Sequence, residues 1–106
     1  MSEFRLHPAA FQDLEEIRVF LAKDSVSAAE LMLDEVEITI SKLAVFPQMG
    51  HLRPDLSSRG LRFHVVRSLL IAYVSASNPI TIIAVADGRR NPRILAAILR
   101  KRMKRE

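Results

Sequence analysis

The stretch that decides the fold is Gly60–Gly88, GLRFHVVRSLLIAYVSASNPITIIAVADG. It holds three short runs rich in valine, isoleucine, leucine and aromatic residues, a composition typical of β-strands. The runs are Gly60–Val66, Leu69–Ala76 and Ile80–Ala86. Arg67-Ser68 separates the first two runs, and Ser77-Asn78-Pro79 has turn chemistry between the last two. Links this short predict an antiparallel meander of three strands.

The residues before the meander predict a short strand and a first amphipathic helix. Glu3–Leu6 alternates polar and apolar side chains, as a strand does, and Pro8 suits the first turn of a helix. Over Ala9–Lys23 the apolar residues recur at helical spacing. They are Phe11, Leu14, Ile17 and Leu21.

A second helix is predicted to follow after a few residues. Ser27 and Glu30 match the Ser-x-x-Glu capping box that opens helices, and the helix must end near Phe46 because Pro47 follows. Its apolar stripe is Ala29, Met32, Val36, Ile40 and Leu43. A link this short predicts that the two helices form an antiparallel hairpin.

The residues after the meander predict a closing basic helix. Asn91 can cap it and Pro92 suits its first position, while Ile94, Leu95, Ile98 and Leu99 supply an apolar side. The element order therefore predicts an α+β domain, with the helical hairpin covering one face of a mainly antiparallel sheet. A chain of 106 residues is expected to be a single domain, 1–106.

Charge is unevenly distributed along the chain. Residues 1–46 carry nine acidic and four basic side chains, whereas residues 89–106 carry one acidic and eight basic side chains. This asymmetry suggests an anionic partner, which can be nucleic acid, a nucleoprotein machine or an acidic protein segment. The alternative is a solvated helix end on which the basic residues only promote solubility.

The residue types also narrow the classes of chemistry. The chain has no cysteine, which removes disulfides and thiol catalysis and is consistent with the cytoplasm. No run approaches the roughly 18 apolar residues of a membrane span, and Met1–His7 lacks an apolar signal core. There are no paired histidines at metal-ligand spacing and no glycine-rich phosphate loop, so we expect neither a metal nor a cofactor.

Along nearly its whole length the sequence resembles the RelE/ParE toxin superfamily. The matching segments are spread out and are specific only jointly, through their order and spacing. They are Phe11-x-Asp13-Leu14-x-x-Ile17, Leu43-x-x-Phe46-Pro47-x-x-Gly50, Gly60-Leu61-Arg62, Leu70-Ile71-Ala72-Tyr73 and the run Ile82–Arg90, IIAVADGRR.

The resemblance implies the toxin of a type II toxin–antitoxin pair, neutralised by a cognate ParD-like antitoxin. In this superfamily the antitoxin segment wraps around the toxin, and the antitoxin carries the DNA-binding domain. We therefore expect no sequence-specific DNA binding by this chain itself. Apolar residues of the first two helices would receive the antitoxin. They are Leu14, Ile17, Leu21 and Met32.

The superfamily contains two kinds of toxin, and the resemblance favours one of them. RelE-like members cut messenger RNA on the ribosome and need proton-transferring side chains. The closing segment, residues 91–99, has no tyrosine, histidine or carboxylate, and Ala96 stands where such an enzyme carries an aromatic acid or base. ParE-like members poison DNA gyrase and block replication, which needs a recognition surface and no catalytic residue. Its expected arginines are Arg62, Arg89, Arg90 and Arg93, extended by the tail Arg100–Arg105.

Two alternatives remain open at this point. One is a ribosome-dependent endoribonuclease that uses Arg62, Arg90 and His64; the other is a harmless relative that acts only in complex with its antitoxin. His64 alternates with apolar neighbours in a strand, which favours a packing role, and His51 is an ordinary loop residue. Tyr73 is expected to be a buried ring with a satisfied hydroxyl.

Overall fold

A computed structural model describes residues 3–104 of the chain. The elements in chain order are β1 (Phe4–Leu6), α1 (Pro8–Ala22), α2 (Val26–Val45), a 3-10 turn (Pro47–Met49), β2 (His51–Leu52), β3 (Leu61–Val66), β4 (Leu69–Val74), β5 (Ile80–Asp87) and α3 (Pro92–Met103). The predicted α+β class and element order are confirmed, and β2 is an addition that the sequence patterns do not indicate.

The five strands form one sheet in the order β1-β5-β4-β3-β2. The meander β3-β4-β5 is antiparallel as predicted, and β2 adds antiparallel to β3. β1 lies parallel to β5, with Phe4 opposite Ile80, so the sheet is mixed. Two antiparallel helices intervene before the chain returns to the sheet, which lets β1 pair with the last strand in the same direction.

Helices cover both faces of the sheet, and the expectation of one covered face holds only for α1 and α2. Those two helices pack on one face, where the buried side chains include Val36, Ile71 and Val85. α3 packs on the other face, where Leu95 and Leu99 join a second buried cluster. β4 therefore lies between two apolar layers, which explains its unbroken LLIAYV sequence.

A β-bulge in β5 sets which side chains face which layer. Ala72 pairs with Ala84 but Tyr73 pairs with Ile82, so Ile83 is an extra residue. Ile82 and Val85 consequently both face the helical hairpin although three positions separate them. Without the extra residue, strict alternation would place Val85 on the opposite face.

The helix ends agree with the sequence signals except at the start of α2. Asn91 caps α3 as predicted, its side-chain oxygen accepting a 2.8 Å hydrogen bond from the Arg93 amide. α2 ends at Val45, as the following proline predicts. The cap of α2 is Ser25, whose hydroxyl accepts from the Ala28 amide, so the prediction of a Ser27 cap is wrong by two residues. Both serines fit an N-cap, and the earlier one has the extended backbone that capping needs.

In the described part of the chain, no helix has both the length and the apolar character needed to cross a membrane.

Candidate functional site

A groove runs between α1, the end of β5 and α3. Its apolar wall is formed by Ile17, Phe20 and Leu21 of α1 with Met32 of α2. Arg89 and Arg90, just after β5, line it as well. The opposite wall belongs to α3, through Leu95, Ile98 and Leu99. The groove thus combines apolar walls with a cationic rim, and this combination suits an amphipathic acidic segment.

An ion pair between Asp13 and Arg102 joins the two helical walls. The Asp13 carboxylate accepts two hydrogen bonds from the Arg102 guanidinium, at 2.7 and 3.0 Å. Both side chains are largely buried, with 16% and 19% of their surface exposed. A bidentate arginine–carboxylate pair that is largely buried fixes the relative orientation of the two side chains as well as their distance.

The same pair also satisfies the free edge of β5. β1 covers that edge only over residues 80–82. Asp13 accepts a 3.0 Å hydrogen bond from the Val85 amide, and Arg102 donates one of 3.0 Å to the Ile83 carbonyl. The two side chains therefore supply the hydrogen bonds that a neighbouring strand would otherwise make to the edge of β5 at the bulge.

The sequence patterns do not indicate this pair. Arg102 was expected in the basic recognition tail Arg100–Arg105, and the structure instead packs its guanidinium against Asp13 with only 19% of the side chain exposed. A signal existed in each helix, because Asp13 is four residues from Ile17 and Arg102 three from Leu99, so each charge stands on an apolar face. Arg105, also assigned to that tail, lies outside the described residues.

Arg89 is exposed but is not free. Its guanidinium donates two hydrogen bonds to the Asp87 carboxylate, at 3.1 and 3.0 Å, and its amide donates a third. These bonds lower the pKa of Asp87 from its ordinary value to about 2. A carboxylate with so low a pKa is a poor general base near neutral pH.

Arg90 and Arg93 are the exposed arginines best placed to meet a partner. Arg90 lines the groove and Arg93 lies in the first turn of α3. Within residues 3–104 neither guanidinium makes a hydrogen bond or an ion pair, since only their amides are engaged. Both can therefore bind an external phosphate or carboxylate with two hydrogen bonds at no intramolecular cost.

Arg62, the fourth predicted arginine, lies elsewhere. Its guanidinium donates a 2.8 Å hydrogen bond to the Gly50 carbonyl at the exit of α2. Arg62 pairs with Tyr73, whereas Asp87 pairs with Leu69 at the other end of β4. That separation is about 13 Å along the strand, in addition to two strand spacings. The structure therefore brings Arg89, Arg90 and Arg93 together and leaves Arg62 apart.

The residues predicted to receive the antitoxin divide in a similar way. Ile17, Leu21 and Met32 line the groove, so two helices contribute to one apolar wall. Leu14 instead lines a smaller depression with Phe4 and Leu33. Three of the four thus share one surface with Arg89 and Arg90.

One of the three histidines caps a helix, and the other two lie on strands β2 and β3. His7 caps α1, its ring nitrogen accepting a 3.0 Å hydrogen bond from the Ala9 amide. His64 is half-buried on β3 and His51 is exposed on β2. Over residues 3–104 no three histidine or carboxylate side chains come close enough to hold a metal ion.

The fold and the groove define a class before any comparison. A short parallel edge strand, a helical hairpin, an antiparallel meander and a basic closing helix make an α+β architecture of the RelE/ParE type. This is the architecture that the dispersed sequence segments predict.

Comparison with known proteins then gives the family. The model of the ParE toxin of type II toxin–antitoxin systems, parDE, matches residues 4–92. Toxin ParE3 of Caulobacter vibrioides is 32% identical over 91 residues, covering 85% of this chain and 87% of that relative. The chain belongs to the ParE toxin family, and it is a toxin of a type II toxin–antitoxin system. The family match contains Arg89 and Arg90 and ends at the first residue of α3.

Proposed function

We propose that this toxin poisons DNA gyrase through Arg89, Arg90 and Arg93, with Arg62 as a separate outlying contact. The observation that carries the proposal is the cluster of exposed arginines after β5, two of which have no ionic partner among the described residues. Gyrase with its cleaved DNA presents phosphates and carboxylates, and an arginine guanidinium binds either group with two parallel hydrogen bonds. Binding alone then blocks replication, without a catalytic residue of the toxin.

The antitoxin is proposed to be a ParD-like protein that lies in the groove. Its apolar side chains would pack on Ile17, Leu21 and Met32, and its carboxylates would meet Arg89 and Arg90 at the rim. A segment that is disordered when free can cover such a surface and be removed by proteolysis. Because both sets of residues line one groove, the bound antitoxin would hide the arginines from gyrase.

The endoribonuclease alternative gains no support from the geometry. It would use Arg62, His64 and Arg90 together, yet the first two lie on β3 and Arg90 follows β5. Two strand spacings, about 10 Å, separate those strands. A cleavage site needs its groups within hydrogen-bond reach of one phosphate.

The test is a supercoiling assay with purified gyrase and the full-length chain. We expect inhibition by the unmodified protein and a concentration for half inhibition raised about tenfold or more by Arg90→Ala, as loss of a charged hydrogen bond predicts. Arg18→Ala is the matched control, an exposed arginine on α1 whose one ionic partner within residues 3–104 is Glu15. Its inhibition should be unchanged.

The result that overturns the proposal is gyrase unaffected by a large excess of toxin. Codon-phased cuts in messenger RNA on ribosomes would establish the endoribonuclease instead. Normal growth on expression without antitoxin would establish the harmless relative. For the antitoxin, Leu21→Asp should leave toxicity in place while weakening neutralisation by the product of the neighbouring gene.

A further inference from the structure

The outer side of α3 carries a stripe of cations. Arg93, Arg100 and Lys104 are exposed and lie within an arc of about 40°, because successive residues of a helix are about 100° apart. The buried residues Leu95 and Leu99 lie between about 100° and 180° from each of the three. The stripe therefore points away from the sheet, and its ends are about 16 Å apart along the helix axis.

Two further cations adjoin the stripe. Lys101, also exposed, lies about 60° from Lys104 around the helix. Arg59, in the loop before β3, donates a 3.1 Å hydrogen bond from its guanidinium to the Met103 carbonyl. The fold thus brings a cation from a distant part of the sequence to the end of α3. The surface formed by these side chains, the α3 cationic face, consists of Arg59, Arg93, Arg100, Lys101 and Lys104.

Within residues 3–104 no carboxylate neutralises the α3 cationic face. None of its five cations forms an ion pair there. From Gly88 to Arg105 the sequence contains no aspartate or glutamate. Arg102 instead turns inward to Asp13. The structure therefore separates the buried cation of α3 from the exposed ones, which remain available to an anionic partner.

The described part of this face lacks the large apolar side chains that the groove has. A protein segment that docks on a helix takes most of its affinity from apolar anchors set in pockets. The residues that flank the stripe are Ala96 and Ala97, which are too small for that purpose. Ile98 lines the groove, and Ile94, one turn before it, lies on the same flank of α3. Affinity at the α3 cationic face must therefore come from charge.

Charge density favours a nucleic-acid duplex over an acidic peptide as the partner. Duplex DNA carries one negative charge per about 1.7 Å of its axis. An extended peptide with a carboxylate on every residue carries one per roughly 3.4 Å. A face about 16 Å long therefore meets about twice as many charges on the duplex, and each counterion that it displaces adds to the affinity.

We propose that the α3 cationic face binds the phosphate backbone of duplex DNA without regard to sequence. Contacts to phosphates carry no information about the bases, which agrees with the expected lack of sequence-specific DNA binding. The proposal rests on the proposed function only for the source of the duplex, which is the DNA held by gyrase. Arg93 belongs both to the arginine cluster after β5 and to this face, so one toxin molecule can contact the enzyme and its DNA together.

Fluorescence anisotropy of labelled DNA, titrated with the full-length toxin in the absence of gyrase, tests the proposal. For a duplex of about 20 base pairs we expect a dissociation constant of about 1–100 μM near physiological salt. The logarithm of the association constant should fall against the logarithm of the salt concentration with a slope of about −4, as four or five phosphate contacts predict. Two duplexes of unrelated sequence should bind within about threefold of each other.

A combined variant, Arg100→Ala, Lys101→Ala and Lys104→Ala, removes three of the contacts. Its slope should be smaller in magnitude by about 3, and its dissociation constant at low salt should rise at least about tenfold. The matched control is Arg5→Ala, Arg18→Ala and Lys23→Ala combined, which removes three exposed cations from β1, α1 and the end of α1. It changes the net charge equally, yet its slope should stay within about 0.5 of the unmodified value.

Melting curves establish that both variants are folded. Should the first variant melt early, Arg100→Gln with Lys104→Gln gives the same test with a smaller loss of side-chain volume. Its slope should be smaller in magnitude by about 2.

Four results would overturn the proposal. Two of them are a slope near zero and an Arg100, Lys101 and Lys104 variant that binds DNA no worse than its matched control. The third is polyglutamate that competes for the toxin as well as the duplex does, which would make an acidic protein the partner. The fourth is duplex RNA bound at least about tenfold more tightly than DNA, which would exclude gyrase DNA as the source.

Failure of this inference and failure of the proposed function are distinguishable. Inhibition of gyrase by a toxin that does not bind free duplex would remove the inference and leave the proposed function in place. Binding of duplex by a toxin that does not inhibit gyrase would remove the proposed function and leave the DNA-binding face in place.

Discussion

At the residue scale, Tyr73 connects the sheet to the exit of α2. Its ring is fully buried, its hydroxyl donates a 2.7 Å hydrogen bond to the Pro47 carbonyl, and it accepts one of 2.9 Å from the Gly50 amide. Gly50 is required there, because a Cβ atom would lie 2.5 Å from the Tyr73 hydroxyl. The predicted buried ring with a satisfied hydroxyl is confirmed, and the Pro47-x-x-Gly50 spacing has its explanation in this contact.

Tyr73→Phe should lower the free energy of unfolding by about 1–3 kcal/mol, because it leaves a buried amide and a carbonyl without partners. Denaturant unfolding measures the change. Phe63→Leu, at a similarly buried position without a hydroxyl, is the comparison for a loss of packing volume alone. An unchanged stability of Tyr73→Phe would show that the two hydrogen bonds have no net effect.

Asp87 is predicted to titrate near pH 2 because of the hydrogen bonds from Arg89. A carboxyl pKa that is lower in the folded state adds stability above the unfolded value, and that stability disappears as the pH falls from about 4 to about 2. In Arg89→Ala the pKa should rise toward its ordinary value. Carbon-detected NMR of the side chain measures it, and a pKa unmoved by the substitution would contradict the assigned cause.

At the element scale, the Asp13–Arg102 pair joins α1, β5 and α3. Residues 89 positions apart meet at the bulge and bind its free backbone groups. The contact thus satisfies backbone groups that the bulge leaves free and joins the last turn of α3 to α1 and β5.

Asp13→Ala should lower the free energy of unfolding by about 2–4 kcal/mol, since it leaves the Val85 amide without a partner and takes from Arg102 its only carboxylate among the described residues. Adding Arg102→Met should cost less than the sum of the single changes, a coupling of about 1–2 kcal/mol. Hydrogen exchange at the Val85 amide should accelerate in parallel. Glu15→Ala removes only an exposed pair and should cost less than about 1 kcal/mol.

Two leucines of α2 give a direct measure of its buried face. Leu43 is fully buried, so Leu43→Ala should lower the free energy of unfolding by about 2–5 kcal/mol. Leu31 is two-thirds exposed, so Leu31→Ala should change it by less than about 0.5 kcal/mol in dilute solution. Thermal melts of both variants at low concentration test the assignment, and equal losses would mean that the helix faces are reversed.

At the scale of the whole molecule, the sheet depends on helices on both sides. α3 is the cover of the second apolar cluster, which includes Leu61, Phe63 and Leu70. The basic character of α3 is thus combined with a structural role. A chain whose charge is acidic in its first half and basic at its end places the cationic side chains on the element that closes the core.

Removing residues 92–106 should therefore destroy cooperative folding, because the second cluster would be exposed to water. We expect loss of the melting transition and binding of a hydrophobic dye. The control is a full-length variant with Arg100→Ala and Lys101→Ala, two exposed side chains of α3, which should melt at nearly the unmodified temperature. A truncated chain that still melts cooperatively would show that the second cluster is dispensable.

The local features were accessible from the sequence because they depend on near neighbours. Strand composition and turn residues predict the meander, and proline positions predict where α2 ends and α3 begins. The start of α2 was misplaced because Ser27 and Glu30 match a capping box, whereas the serine with the extended backbone of a cap is Ser25. Arg89, Arg90 and Arg93 lie within five residues of one another, so their proximity follows from the sequence, and their role in target binding stays a prediction. Arg62 was grouped with them, although the sheet holds it apart.

What the sequence alone determined is the three α-helices, the first strand, the three-stranded meander, the family and the separation of acidic from basic residues. Only the tertiary structure decided that β1 is parallel to β5, that α3 covers the second face, and that Asp13 meets Arg102 at the bulge. The physical reason is the separation in sequence of the residues that interact. Periodicity and capping act over a few residues, whereas these contacts join positions up to 89 residues apart, and only the packed chain selects among them.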